Sequence, residues 1–320
     1  MTRVTVLTGG VGGAKLVLGL VHLLGAENVT AIVNTGDDMV HMGLNVSPDI
    51  DTLLYTLAGK SDDIKGWGRA SETWTFMESV RSLGGPDWFQ LGDGDLALHV
   101  LRTAALANGQ TLSQVTGDFA RHWEVAARML PMTHATVATR LSTDAGELDF
   151  QTYFVARRCE PAIHSISYVG ADTAKPAPGV IEAIGDPGIA AIVIAPSNPW
   201  LSIDPILAVP GIREALATAP APVVAVSPVR NGQSFKGPTA KIMTELGIPV
   251  DSTSVASHYA GLIDGMIVDS EDPCPADGIQ IARADIAMPD LSRKIALASD
   301  AMALAARIKA LGVSSRNKAR

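Results

Sequence analysis

Short apolar runs alternate along the chain with longer stretches of helical spacing, and glycine, proline and polar clusters punctuate them. Residues 3–8 are largely apolar and run directly into Gly9-Gly10-Val11-Gly12-Gly13. An apolar helix is predicted over 14–24 and a second strand, Val-Thr-Ala-Ile-Val, over 29–33. Strand, glycine loop, helix and strand in this order open a doubly wound parallel sheet. Further helices are predicted over 50–58, 71–83, 96–108 and 112–129. Residues 135–141 and 148–155 flank Asp144-Ala145-Gly146 and read as a β-hairpin. The parallel pattern resumes at 189–195, 223–226 and 266–268, and a last helix is predicted over 291–311. The expected fold class is α/β: a Rossmann-like, doubly wound, mostly parallel sheet carrying a helical and hairpin-bearing insertion. The core is expected from residues 1–60 and 165–320, with the insertion at 61–164 contributing to ligand binding and to subunit contacts.

Composition supports this picture and excludes several others. Hydrophobic residues make up 47% of the 320 residues and aromatics only 5%, a bias towards small aliphatics that suits helices packed on a parallel sheet. The net charge of -8, with no cluster of Lys and Arg before the last few residues, argues against nucleic acid as a partner. The short basic stretch 314–320 is expected to be a solvated terminus. Cys159 and Cys274 have no C-x-x-C spacing, so neither a disulfide framework nor a redox motif is expected. There is no leader-like segment and no apolar run long enough to cross a bilayer, which predicts a cytoplasmic protein with no membrane partner. The seven histidines show neither H-x-x-x-H nor H-E-x-x-H spacing, and no G-x-S-x-G elbow occurs.

The candidate chemistry lies in the loops that follow the strands, where such sheets bind ligands. Glycines at Gly10, Gly12 and Gly13 permit positive φ or close backbone approach, and the helix N-terminus favours an anion. The loop lacks the Gly-Lys-Ser/Thr of a Walker A motif. Lys15 also stands where a dinucleotide fingerprint has its third glycine. A phosphorylated ligand is therefore expected at this loop, with Gly12 letting the backbone approach it; the competing reading is a tight turn without a ligand. Asn34-Thr35-Gly36-Asp37-Asp38 ends the second strand, and Ser47-Pro48-Asp49-Ile50-Asp51 opens a helix. Carboxylates this close together repel unless a cation or shared proton offsets them, and Mg²⁺ is the natural companion where phosphate is present. Asp49 as a plain helix cap, and Asp37 or Asp38 on a ribose hydroxyl, are the alternatives. Leu91-Gly92-Asp93-Gly94-Asp95 forms a third acidic element before a helix that carries His99 and Arg102. Ser197, Asn198 and Ser227 offer hydrogen bonds for a base or ribose, although such residues also dominate turns. Lys236 offers charge for a phosphate.

These motifs occur in an order that makes their combination specific. The runs at 8–15, 33–38 (V-N-T-G-D-D), 48–55 (P-D-I-D-T-L-L-Y), 66–68 (G-W-G), 72–74 and 87–95 (D-W-F-Q-L-G-D-G-D) come first. The runs at 130–132, 150–151, 195–199 (A-P-S-N-P), 202–207, 209–213, 224–228, K-G-P-T-A-K from Lys236, and His258-Tyr259 follow. Over roughly residues 1–270 the sequence resembles the 2-phospho-L-lactate transferase family of coenzyme F420 biosynthesis. The resemblance implies a homodimeric, Mg²⁺-dependent Rossmann-like enzyme. Its donor would be a guanosine diphosphate ester of a three-carbon acid, and its acceptor the terminal ribityl hydroxyl of the deazaflavin Fo, with GMP leaving.

On that resemblance Asp49 and Asp51 are expected to be catalytic, and Asp37, Asp38, Asp49 and Asp51 to hold the metal. Gly10, Gly12, Gly13, Lys15, Asn34, Thr35, Ser197, Asn198, Ser227 and Lys236 are expected to bind the donor. Asp93, Asp95 and Trp67 are expected to bind the acceptor. Two departures stand out. Gly94 occupies a position where the family commonly has Arg, so a cationic contact is missing there or comes from Arg69 or Arg102. The segment 229–234 is less glycine-rich than usual and adds Arg230. The acid carried stays open between 2-phospholactate, phosphoenolpyruvate and 3-phosphoglycerate. A non-catalytic sugar-nucleotide-binding regulator is opposed by the carboxylate pairs. A nicotinamide dehydrogenase is opposed by the lost third glycine.

Overall fold

The apolar runs become strands of one sheet, because their side chains alternate between two faces that both need covering. In chain order these are β1 (Arg3–Thr8), β2 (Val29–Val33), β3 (Arg128–Pro131), β4 (Ile189–Ile194), β5 (Val223–Val226), β6 (Gly265–Asp269) and β7 (Gln280–Ala284). The spatial order is β3-β2-β1-β4-β5-β6-β7, and every neighbouring pair is parallel. This is the doubly wound, Rossmann-like order, whose direction reverses between β1 and β4. The computed structural model describes residues 2–62, 64–234, 237–273, 278–312 and 316.

Leu7, Ile32, Ile192 and Ala225 enter the core on one face of the sheet. Val6, Ala31, Val193 and Val224 enter the core on the other. That second face is covered by α1 (Gly10–Leu24), α2 (Pro48–Leu57), α3 (Asp93–Ala107) and α4 (Leu291–Leu311), through Leu16, Leu20, Ile50, Leu53, Leu98, Leu304 and Ile308. A side chain at Gly19 would run into the Lys294 backbone, so glycine lets α1 and α4 cross in contact.

The structure corrects the sequence reading in three places. The helix expected over 112–129 ends at His122, and Glu124 adopts a left-handed φ of 56° with no glycine to announce the stop. The chain then supplies β3, paired with β2 from Thr30↔Arg128, so the segment 61–164 contributes an edge strand to the core sheet. The expected hairpin forms between Ala138–Thr143 and Gly146–Asp149, but its second strand stops at Asp149 because Thr152–Ala156 winds into a helical turn. Ile163–Val169 completes that small antiparallel sheet. Within the stretch expected to be a solvated terminus, Arg316 is buried against Asp264 (2.8 Å) and donates to the carbonyls of Leu216 and Ala221.

Candidate active site at the carboxyl edge of the sheet

The crevice opens where β1 and β4 send their following loops to opposite sides. Gly10 has φ +64°, and nothing lies within 4 Å of where its side chain would be. Its conformation alone requires glycine, and its surface is open. At Gly12 the constraint differs: a Cβ there would sit 2.8 Å from the Pro196 carbonyl oxygen. Passage of the 195–198 loop over the first turn of α1 demands this glycine, which corrects the expectation that Gly12 is bare for a ligand. Gly13 is hemmed in by the Thr8 and Ser197 hydroxyls.

The polar side chains expected to meet the donor are largely engaged by other groups of the protein. Ser197 Oγ donates to the Gly9 carbonyl at 2.7 Å and accepts from the Gly9 N–H at 3.2 Å. Asn198 Oδ1 accepts from the N–H groups of Trp200 and Leu201, and its amide donates to Thr239. The Ser227 hydroxyl bonds to the Val229 backbone and to Ser252. These three shape the crevice. Lys15 Nζ donates to the Met288 carbonyl at 3.2 Å while lining the cleft. Lys236 lies outside the described residues.

Two carboxylates, Asp37 and Asp49, meet at Asn34 beside the glycine loop, and Asp38 follows Asp37 in the chain. Asn34 is fully buried and is the hub: its amide donates to Asp49 Oδ2 (2.9 Å), Asp37 Oδ1 (3.2 Å) and the Leu201 carbonyl (3.3 Å), and its Oδ1 accepts from the Gly36 N–H. Asp49 Oδ1 accepts from the Gly10 N–H at 2.6 Å. It therefore ties α2 to the start of α1 and is not a cap for its own helix. Ser47 donates to Asp38 Oδ2 at 2.7 Å, and Gln151 donates to Asp37 Oδ2 at 3.4 Å. Burial, then the charges of Asp49 and Asp38, pushes the Asp37 carboxyl well above the usual range. Burial does the same to Asp38, against the opposing pull of Ser47 and Arg102. Burial lifts Asp49 to about 6 in spite of its bonds to Asn34 and Gly10. Asp38 Oδ1 and the hydroxyls of Thr8, Thr35 and Thr139 are buried with no partner. Carboxylates and orphaned oxygens are the ligand type of a hard divalent cation, but among the described residues only Asp51, Asp95 and His99 gather their ligand atoms within 4.8 Å.

Asp51 faces elsewhere. It forms a two-pronged ion pair with the buried Arg102 guanidinium, and His99 Nδ1 stands 3.7 Å from its Oδ2. His99 Nε2 lies 3.3 Å from Asp95 Oδ2, and the Tyr55 hydroxyl bonds to the other Asp95 oxygen. Burial works to raise the Asp95 carboxyl, and His99, Tyr55 and Arg102 together overrule it and hold it below the usual range. Asp51, Asp95 and His99 bring ligand atoms within 4.8 Å of one another and could also hold a metal ion. Arg102 already pairs with Asp51 there.

Asp95 faces a cleft that it shares with Trp67, Arg69, Glu72 and Trp74. An adjoining cleft shares Trp67 and Gly68 and continues to Val11 and Lys15 of α1 and Thr52 of α2. Trp67 is 54% exposed beside the glycine loop, with the Lys65 ammonium 5.9 Å from its ring centroid. Asp93 does not point into the cleft: it accepts from Thr73 Oγ1 and from the N–H groups of Thr75 and Phe76, closing the open start of the helix Thr75–Ser82. Sequence reasoning missed Gln151, Tyr55 and Glu72 as site residues. Tyr55 follows Asp51 by four residues on one helix, a spacing that puts them on one face. Gln151 gave only the signal of a polar residue in a matched F-Q pair.

Fold and site together define a Rossmann-like α/β protein with an acidic, oxygen-lined crevice at its switch point. Residues 4–308 match the family described as 2-phospho-L-lactate transferase CofD. The chain belongs to that family, a transferase family of coenzyme F420 biosynthesis. A phosphoenolpyruvate transferase from Kitasatospora aureofaciens is 42% identical over 319 residues, spanning 96% of this chain and 99% of that protein. One from Mycolicibacterium smegmatis is 39% identical over 309 residues, spanning 90% and 94%. A solved UPF0052-family protein from Bacillus halodurans superimposes with a TM-score of 0.57 at 20% identity, over 89% of this chain and 92% of that one; this is a likeness of fold. Among the described residues no helix is long and apolar enough to cross a membrane.

Proposed function

We propose that this chain transfers a phospho-organic-acid group from its guanosine diphosphate ester to the ribityl hydroxyl of Fo and releases GMP. Of the three candidate acids, the name borne by its relatives favours phosphoenolpyruvate. The observation that carries the reading is the set of aspartates Asp37, Asp38 and Asp49 beside the glycine loop, in a chain of this family. Phosphoryl transfer asks of a protein mainly positioning and charge stabilisation. The N-terminal turn of α1 beyond Gly10, whose own N–H is taken by Asp49, would meet the diphosphate. Asp37, Asp38 and Asp49 would hold Mg²⁺, which supplies neutralisation of the diphosphate charge. Asp49, placed at the glycine loop, would also be the carboxylate that accepts the acceptor's proton. Asp51 fixes Arg102, and through His99 it supports Asp95 at the cleft where Trp67 offers a face for the deazaflavin ring.

The enzyme works in the cytoplasm as a pair of identical chains. The outer face of α3 supports the pairing: it exposes Val100 and Leu101, and the strand Leu44–Val46 beside it leads back through its hairpin to the exposed Val40. Light scattering should give twice the chain mass; a monomer at working concentrations would refute the pairing. The reaction is tested by incubating the protein with Fo, Mg²⁺ and each of the three guanosine diphosphate esters. GMP release is expected with the phosphoenolpyruvyl ester above the other two. No GMP from any of them would overturn the assignment.

A further inference from the structure

Arg69 lies in space that only a glycine at position 94 leaves open. A Cβ on Gly94 would overlap the Arg69 guanidinium, although the backbone there is ordinary helix that any residue adopts. Glu72, whose side chain is 3% exposed, holds both partners: Oε1 meets Arg69 Nη1 at 3.1 Å, and Oε2 accepts from the Gly94 N–H at 2.6 Å. Among the described residues nothing bonds to the remaining edge of the guanidinium, and Nε is buried without a hydrogen-bond partner. The Arg69 side chain is 29% exposed and faces the cleft of Trp67, Trp74 and Asp95. Arg102, the other arginine near this cleft, is enclosed and committed to Asp51.

We propose that Arg69 is a substrate-binding residue that receives a planar oxyanion of an incoming substrate on the edge Glu72 leaves free. The permanently charged, forked guanidinium matches such a group in shape and charge, which an ammonium does not. Two substrates of the proposed reaction could bring this chemistry: the carboxylate of the transferred acid, or an ionised ring oxygen of the acceptor. The inference rests on that reaction, and Gly94 is the residue that makes room for the cation.

The test measures kcat and both KM values for Arg69→Gln, Arg69→Lys, Gly94→Ala and the Arg69→Gln/Gly94→Ala pair, with melting curves as the fold control. Arg69→Gln is expected to raise one KM by roughly 10- to 100-fold, the scale of a charged hydrogen bond. Arg69→Lys should recover only part of that loss. Gly94→Ala should raise the same KM, because the methyl group displaces the guanidinium. Added to Arg69→Gln it should do no further harm, since alanine is a good helix residue once the arginine is gone. A rise confined to the donor assigns the carboxylate, and a rise confined to the acceptor assigns the ring oxygen. Unchanged KM values for both substrates in a folded Arg69→Gln protein would overturn the proposal. If the unmodified chain releases no GMP, the reaction fails first and this inference fails with it.

Discussion

Two aspartates two residues apart on one helix have different roles at the residue scale, and mutation should separate them. Asp49 sits between Gly10 and Asn34, in a group with surplus negative charge, whereas Asp51 is neutralised by Arg102. Asp49→Asn keeps the shape and removes the charge. It should lower turnover by roughly 10²- to 10⁴-fold, the range of a lost proton acceptor, with the melting temperature of the metal-free protein unchanged or higher. Asp51→Asn strands a buried guanidinium and should cost roughly 3–5 kcal/mol of stability. If both variants lose activity at equal, native stability, the division of roles is wrong. The raised carboxyls also set a pH dependence. Asp37, Asp38 and Asp49 hold protons more tightly folded than unfolded, so their contribution to stability is complete below about pH 4, the unfolded range. It is lost as pH rises through the folded values, with Asp49 at about 6. The metal-free protein should therefore melt lower at pH 8 than at pH 5, and Mg²⁺ should raise the melting temperature at pH 8 far more than at pH 5. Identical Mg²⁺ effects at the two pH values would remove these residues as the metal site.

The glycine loop shows, at the scale of an element, that neighbouring glycines exist for different reasons. Gly10 needs a positive φ and faces open space, whereas Gly12 has an unremarkable backbone and faces the Pro196 carbonyl. Gly12→Ala should destabilise the ligand-free protein by more than the ~1 kcal/mol of an ordinary substitution, because a backbone carbonyl cannot step aside cheaply. Gly10→Ala carries a strained φ, and its added methyl projects into the crevice. It should weaken donor affinity by calorimetry beyond its effect on melting. Native melting for Gly12→Ala, or unchanged donor affinity for Gly10→Ala, would contradict this assignment. The same reasoning covers Gly94, which is glycine because of what lies over it.

At the scale of the whole molecule, the Rossmann-like sheet brings together segments far apart in the chain, and its far edge is fastened by a residue expected to be solvated. Arg316 and Asp264 have side chains 5% and 1% exposed, and they link the segment after α4 to the loop before β6. Arg316→Ala leaves Asp264 charged and buried, and should lower stability by roughly 3–5 kcal/mol. GMP release at low temperature should survive, because the crevice lies at the opposite, carboxyl ends of the strands. Unaltered melting would mean that the pair is not formed in solution.

The sequence by itself determined the doubly wound sheet, the glycine loop, the acidic loops and the family resemblance. Each rests on local pattern: continuous apolar runs for buried strands, glycines between strand and helix, and Asp clusters at loop ends. It could not reveal that β3 arises from within the segment 61–164, because the preceding helix stops at a left-handed glutamate without a glycine signal. Nor could it separate Asp49 from Asp51, or engaged hydroxyls such as those of Ser197 and Ser227 from free ones. Those distinctions depend on partners many residues away: Gly10 and Asn34 for Asp49, Arg102 for Asp51, Gly9 for Ser197 and Ser252 for Ser227. The tertiary structure decided them, because burial and pairing set the charge and availability of a polar group, and neither is encoded at the residue that carries it.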